Sequence, residues 1–421
     1  GAGQVTARAA GTLPSAGRWA VVVAGAVALA VAMGIGRFAF TPLLPMMLHD
    51  GVIDLPSASW LASANYLGYL AGALLCTFQP WIWARVPGLP PVDGPWMVRA
   101  GLVATGLLTL GMALPWPAAW PLLRFAAGVA SALVFVYVSG WVLSQMARLQ
   151  APAMGGVMYT GPGAGIVVSG LFASAMVQWR WHAVEAWLVF GVLAFVLSAL
   201  VWRTFGRGET PRPAAAAGAG AAVPGEHHGA VEIGVLCVAY GIAGFGYIVT
   251  ATFLPVIARA ALPGSPWLDL FWPIFGFGVF CGALIASRLR VSGDLRLLLA
   301  GGYAIQAAGI AVGVWSPSLA GFAIGSLMLG LPFTAITFFA MQEVRRLRPA
   351  LAASFMGLAT VMYGIGQIVG PPLVALLLRH SSSPGAGFTR SLQVAMGALL
   401  AGALVYVWMV RAYPMRRATP A

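Results

Sequence analysis

Apolar residues run along this chain in blocks of about twenty, separated by short breaks rich in Arg, Pro, Gly and Asp. A block of that length crosses the roughly 30 Å hydrocarbon core of a bilayer as one helix. Read against the breaks, the pattern predicts twelve spans, at 19–48, 57–84, 97–115, 120–147, 153–178, 183–204, 232–259, 266–288, 296–315, 318–344, 350–378 and 390–412. A barrel would instead show alternating segments of about ten residues. The run that starts at Trp19 is too long for the core of a signal peptide, so it reads as a retained first span.

The one long interruption lies between the sixth and seventh blocks and contains Pro211, Pro213 and a run of Ala and Gly. Such a segment cannot build a core. The expected organisation is therefore all-α: a six-helix bundle over 1–204, a flexible cytoplasmic linker over 205–231 and a second six-helix bundle over 232–421.

Composition sharpens this picture. Charged residues make up 8% of the chain and hydrophobic ones 60%, against about 25% charged in soluble domains. The formal charge of +13 comes from 23 basic residues, all Arg. Nucleic-acid binding would need them on one soluble face, whereas they fall singly or in small groups between apolar blocks, so no nucleic-acid partner is expected. Their placement reports topology. With the N-terminus in the cytoplasm, 17 Arg lie on that side and only Arg180, Arg259, Arg379 and Arg390 lie outside. The positive-inside rule then puts both termini and the linker in the cytoplasm of a bacterial inner membrane. Cys76, Cys237 and Cys281 fall inside spans without a CxxC pair, so neither a disulfide framework nor a metal site is expected.

The two halves repeat one another. At an offset of 207, Gly34, Ile35 and Phe38 fall on Gly241, Ile242 and Phe245, and Trp60 falls on Trp267. At an offset of 197, Phe125, Gly128 and Arg148 fall on Phe322, Gly325 and Arg345. Two parallel six-helix repeats place a pathway at their pseudo-two-fold interface, the architecture of alternating access.

Twelve spans, a six-plus-six repeat and a central linker resemble the major facilitator superfamily over the whole chain. Within it, the stretch from Gly34 through Arg37 and Pro42 to Met47, with Ser57 to Gly72 and Tyr240 to Tyr247, resembles the bacterial YbfB/YjiJ-type branch. Arg124, Gly128 and Ala130 to Ala132 resemble the superfamily's fourth-helix motif, whose Arg is associated with proton transfer in relatives. Gly161, Pro162 and Gly165 resemble the fifth-helix motif common in exchangers. The loop motif expected after the second span is absent, because Arg85 to Arg99 is Pro-rich. The usual cytoplasmic gate bridge is accordingly not expected there.

Arg37 is the leading candidate site residue. An Arg at mid-span costs about 2.5–3.5 kcal/mol on insertion scales, so it must face a cavity or a partner. No carboxylate lies deep in any span; Glu185, Glu232, Asp269 and Glu343 all read as near span ends. The functional reading is an anion-binding guanidinium. The structural alternative is an Arg bonded to helix carbonyls or reaching toward the interface. Arg124, near the outer start of its span, is either an interfacial or a pathway residue. Asn65 and Tyr66 sit at about the depth of Arg37, and Tyr69 shares a helical stripe with Asn65; they can hydrogen-bond a substrate, as can Tyr159, Tyr247, Tyr363 and Gln367. Polar residues also glue membrane helices together, so each has a packing alternative.

Small-xxx-small spacing at Gly68/Gly72, Gly161/Gly165, Gly278/Gly282 and Gly366/Gly370 falls on the second, fifth, eighth and eleventh spans, which line the junction between the halves in the resembled fold, so the resemblance implies close contact there. Pro162 and Pro371-Pro372 are expected to kink the fifth and eleventh spans. No nucleophile and base recur at catalytic spacing, and Gly161 to Gly165 lacks the Lys of a phosphate-binding loop, so no catalytic residue, cofactor or ATP drive is expected. The expectation is a monomeric secondary active transporter in the lipid bilayer. It would move a small-molecule substrate, an organic anion, with the proton as coupling ion. The alternative is an exporter of amphipathic or drug-like compounds.

Overall fold

The computed structural model describes residues 15–206, 229–291 and 293–415. Most of the expected linker lies outside them. Twelve helical spans follow one another: α1 Gly17–His49, α2 Leu55–Arg85, α3 Gly94–Gly111, α4 Pro117–Arg148, α5 Pro152–Gln178 and α6 Ala183–Val201. Then come α7 Ala230–Ala261, α8 Leu268–Arg288, α9 Leu295–Trp315, α10 Leu319–Leu347, α11 Ala352–Arg379 and α12 Pro384–Ala412. All but α3 are long and apolar enough to cross a membrane. At 18 residues α3 is about 27 Å long, which nearly spans the core. Large apolar side chains such as Trp60, Leu122, Leu200, Trp315 and Leu404 are exposed to the surroundings, as a lipid-facing surface requires. The face bearing the described chain ends is called the terminal face below, and the opposite one the far face.

Glycine positions set how closely the helices of each half approach. A Cβ on Gly68 or Gly72 of α2 would strike the α4 backbone at Phe125 or Val129. In the other half, a Cβ on Gly278 or Gly282 of α8 would strike α10 at Leu327 or Leu331. Each glycine sits 210 positions after its counterpart and each partner 202 after, which fixes the repeat. The sequence offsets of 207 and 197 are thus short by three to five residues, about one helical turn. In a chain this rich in Gly and Ala, identities match as well one turn away.

The same contacts correct a second expectation. Gly161 and Gly165 of α5 lie against Ala26 and Ala30 of α1, and Gly366 lies against Gly241 of α7. All four glycine pairs therefore tighten packing within a half. Between the halves the close approaches use other glycines: Gly163 on the α8 backbone at Phe280, Gly170 on Pro273, and Gly364 on Leu70. Spacing defines a smooth face on a helix but not which neighbour the face meets.

The halves meet along α2 with α11 and α5 with α8, and α1 touches α7 through Phe40–His49. Helix irregularities occur where the halves face each other. α1 widens into a π-helix over Ala30–Arg37 and breaks at Phe38, before Pro42. α10 breaks between Gly330 and Phe333, at Pro332. α5 changes from a 3-10 to an α-helix at Gly161, with Pro162 in the first turn. In α11 the helix runs through Pro371-Pro372 without interruption.

Candidate functional site

Proline builds the seal at the far face. A proline has no N–H, so the carbonyl four residues earlier is left free. Pro255 leaves Ala251 O, and the Thr41 hydroxyl of α1 donates to it across the halves. Pro372 leaves Ile368 O, and the Ser63 hydroxyl of α2 donates to it at 2.8 Å. Tyr66 and Thr252 add a hydroxyl pair at 2.6 Å between α2 and α7. Among the described residues no hydrogen bond ties the halves on the terminal side. There Tyr159 of α5 meets Phe338 of α10 edge to face at 5.4 Å, with Phe135 5.9 Å away.

Arg37 lies just inside this seal, where the π-helix ends. A π-turn is a local widening often found at functional sites. Gly34 and Gly36 let the widened turn pack on the α5 backbone at Gly165 and on Ser131 of α4. The wide turn and the break beyond it leave the Gly36 and Arg37 carbonyls available. Arg124 Nη2 donates to both, at 3.1 and 3.4 Å, and Asn65 Nδ2 donates to Gly36 O and Arg124 O at 3.2 and 2.8 Å. Arg124 is 1% exposed and its guanidinium lies 5.4 Å over the Trp187 ring of α6. It is therefore neither interfacial nor turned toward the other half. Together Arg124 and Asn65 hold the broken α1 in shape from behind.

The Arg37 guanidinium points the other way, into the second half. It is 4% exposed, and Nη2 donates to Gln367 Oε1 of α11 and to the Tyr247 hydroxyl of α7 at 3.4 Å. Tyr247 itself donates to Gln367 Oε1 at 2.5 Å. The guanidinium carbon sits 4.2 Å from the Tyr69 ring centroid, 4.9 Å from Phe38 and 5.8 Å from Tyr66. Its Nε is buried without a partner. None of the ion pairs among the described residues includes Arg37. Every partner it has is neutral.

Tyr363 stacks on Tyr247 and on Tyr240, at 5.9 and 4.7 Å, and Phe333 meets Tyr247 edge-on at 4.8 Å. The structure thus gathers Arg37, Tyr66, Tyr69, Tyr247, Tyr363 and Gln367 around one point. Tyr159 stands apart, toward the terminal face. Tyr240, Thr252, Phe333 and Phe338 were missed by sequence reasoning. Tyr240 shares its helical face with Tyr247, seven residues on, and that spacing was the available clue.

Carboxylates gather elsewhere. At the terminal face of the second half, Arg296 forms a two-point pair with Asp294 at 2.9 Å and lies 3.7 Å from Glu232. Arg346 bonds Glu343 at 2.8 Å and lies 3.9 Å from Glu232. At the far face Asp50 accepts from Ala183 N–H at 2.7 Å and lies 3.2 Å from His182 Nδ1. Burial pushes the Asp50 carboxyl up, but those bonds outweigh it and hold it below its ordinary range.

The family model described as "Uncharacterised MFS-type transporter YbfB" matches residues 29–407. Among solved structures, the crystal structure of the nucleoside transporter NupG is similar, with a TM-score of 0.67 and 14% identity. The alignment covers 92% of this chain and 99% of that one. At that identity the likeness shows the fold alone. No curated protein matches the sequence. The match over most of the chain, together with twelve spans in two repeated halves, makes this a multi-pass membrane protein of the YbfB-type family of major facilitator transporters.

Proposed function

We propose that the protein is a secondary active transporter of a small organic anion, working by alternating access with the proton as coupling ion. The observation that carries this reading is Arg37, a buried guanidinium between the halves whose partners are all neutral. A buried charge without a counter-charge is costly, and an anionic solute relieves that cost on binding. A planar fork also suits a carboxylate. Arg37 belongs to the first half, and Gln367 and Tyr247 to the second, so a solute that takes over the guanidinium loosens a link between them. Binding and rearrangement are then one event.

The proton enters through charge. Moved inward against a membrane potential, an anion costs about 2.3 kcal/mol per 100 mV, and one accompanying proton cancels that term. Glu232, Asp269 and Glu343 sit in ion pairs near span ends, so no carboxylate beside Arg37 is available to carry the proton. The carrier is the solute itself or the tyrosine row. The Arg bias supports an inner-membrane orientation with both termini cytoplasmic, so the terminal face looks into the cell. The two six-helix bundles are the moving bodies, joined by the cytoplasmic linker.

The test is accumulation of a labelled solute in proteoliposomes, with the gradient imposed as pH or as sodium. Collapse of the proton gradient should abolish accumulation and spare exchange of preloaded solute. Sodium dependence without pH dependence would remove proton coupling.

A further inference from the structure

We propose that the solute is a planar monoanion, an aromatic or heteroaromatic monocarboxylate, with its carboxylate on Arg37 and its ring among the tyrosines between the halves. This rests on the reading of Arg37 as the anion site and names the class of solute that site selects.

Charge sets the first limit. Arg37 and Arg124 are the cations at the middle of the first half, and Arg124 is turned away, bonded to the Gly36 and Arg37 carbonyls and covered by Trp187. One guanidinium therefore meets the solute. A monocarboxylate matches it. A dicarboxylate or a doubly charged phosphate would leave a charge unpaired in a water-poor site.

The hydroxyl inventory sets the second. Tyr66 is paired with Thr252, Tyr240 with Thr337 at 3.1 Å, and Tyr247 with Gln367. These groups are already satisfied by the protein. A sugar or polyol would bring several hydroxyls that must lose water, and the hydroxyls of Tyr66, Tyr240 and Tyr247 already have partners.

The walls set the third. Tyr69 and Phe38 lie against the guanidinium, and Tyr247, Tyr363 and Tyr240 form a row of rings with interplanar angles of 28° and 29°. Phe333 stands edge-on to that row, and Tyr159 and Phe338 close it toward the terminal face. A carboxylate gripped at two points lies in the plane of the guanidinium. A ring conjugated to that carboxylate is then held flat, and it takes over offset and edge contacts that Tyr69, Tyr247 and Tyr363 now make with the guanidinium and with one another. A saturated ring of the same size is puckered and lacks that contact.

The experiment uses the purified full chain and four probes: benzoate, cyclohexanecarboxylate, phthalate and benzamide. Affinity is read by titration calorimetry and by the shift in unfolding temperature. Benzoate should bind at least about tenfold more tightly than cyclohexanecarboxylate and phthalate, and benzamide should not bind. Tyr69→Leu should shrink the gap between benzoate and cyclohexanecarboxylate while carboxylate binding persists. Equal affinity for the two rings, or tighter phthalate, would overturn the planar monoanion and leave the anion site standing. Binding of benzamide as strong as benzoate, or no binding of any carboxylate, would overturn the anion site and this proposal with it.

Discussion

Arg296 at the start of α9 and Arg37 in the middle of α1 are both buried, at 0% and 4% exposed, and are surrounded in opposite ways. Arg296 meets Asp294 at two points, has Glu232 within 3.7 Å, and donates to the Met409 and Tyr413 carbonyls at 3.1 and 2.8 Å. Burial pushes the Asp294 carboxyl up, yet its bonds from the Arg296 guanidinium and backbone N–H hold it below its ordinary range. Arg37 has an amide oxygen, a phenol and three aromatic rings. A permanent counter-charge fixes Arg296 in place; Arg37 has no counter-charge among the described residues and, unlike Arg124, faces the other half. On the proposed reading the difference separates a joint from a binding site, although both residues are arginines sealed from water.

The largest expected effect comes from breaking the compensated arginine. Arg296→Met takes the two-point cation from Asp294 and leaves Glu232 with Arg346 at 3.9 Å, a loss of about 3–5 kcal/mol. It should lower the unfolding temperature and the folded yield sharply. Arg37→Met removes two neutral bonds and an uncompensated charge together, so its stability should move by less than about 1 kcal/mol. Thermal unfolding of the two variants side by side checks the contrast.

Gln367→Glu sharpens the comparison by making Arg37 resemble Arg296. A carboxylate placed where Gln367 Oε1 now accepts from Arg37 and Tyr247 becomes an internal counter-ion. The variant should be more stable than wild type by about 1 kcal/mol or more and should lose anion binding at least about tenfold. An unchanged affinity would separate Gln367 from the site.

Much of this was legible in the sequence, for definite reasons. Twelve apolar blocks announce twelve helices, and an Arg inside such a block is conspicuous. Its partners are not, because Tyr247 and Gln367 lie 210 and 330 residues away. The role of Arg124 depends on a π-turn in α1 that apolar periodicity does not reveal. Pro255 and Pro372 did carry a readable signal, the freed carbonyl four residues earlier. Its acceptor role needed the other half in place. The ionic cluster at Arg296 is hidden in the sequence because its charged residues sit far apart along the chain, on α7, α9 and α10 and beside α9.

Smaller effects follow from the seal. Thr41→Val and Ser63→Ala each remove one bond between the halves, worth about 1 kcal/mol. Each should shift the closed-to-open ratio at the far face about fivefold, read as faster labelling of a cysteine placed near Thr252. Unchanged labelling would show that apolar packing alone holds the seal. The smallest effect concerns Asp50, whose folded-state acidity lies below its unfolded value. Its contribution is complete above about pH 4 and is lost as the pH falls through the lower folded value. The stability gap between wild type and Asp50→Asn should therefore close in acid and be constant at neutral pH.

The central claim is that Arg37 is uncompensated because the solute supplies its counter-charge. The direct measurement is the affinity of folded, monodisperse Arg37→Ala and Arg37→Lys for a carboxylate that binds wild type. Arg37→Ala should lose binding, and Arg37→Lys, which keeps the charge but not the fork, should weaken it by about tenfold or more, with both variants still folded. Unchanged affinity in folded Arg37→Ala would contradict the account and make Arg37 a structural link between the halves.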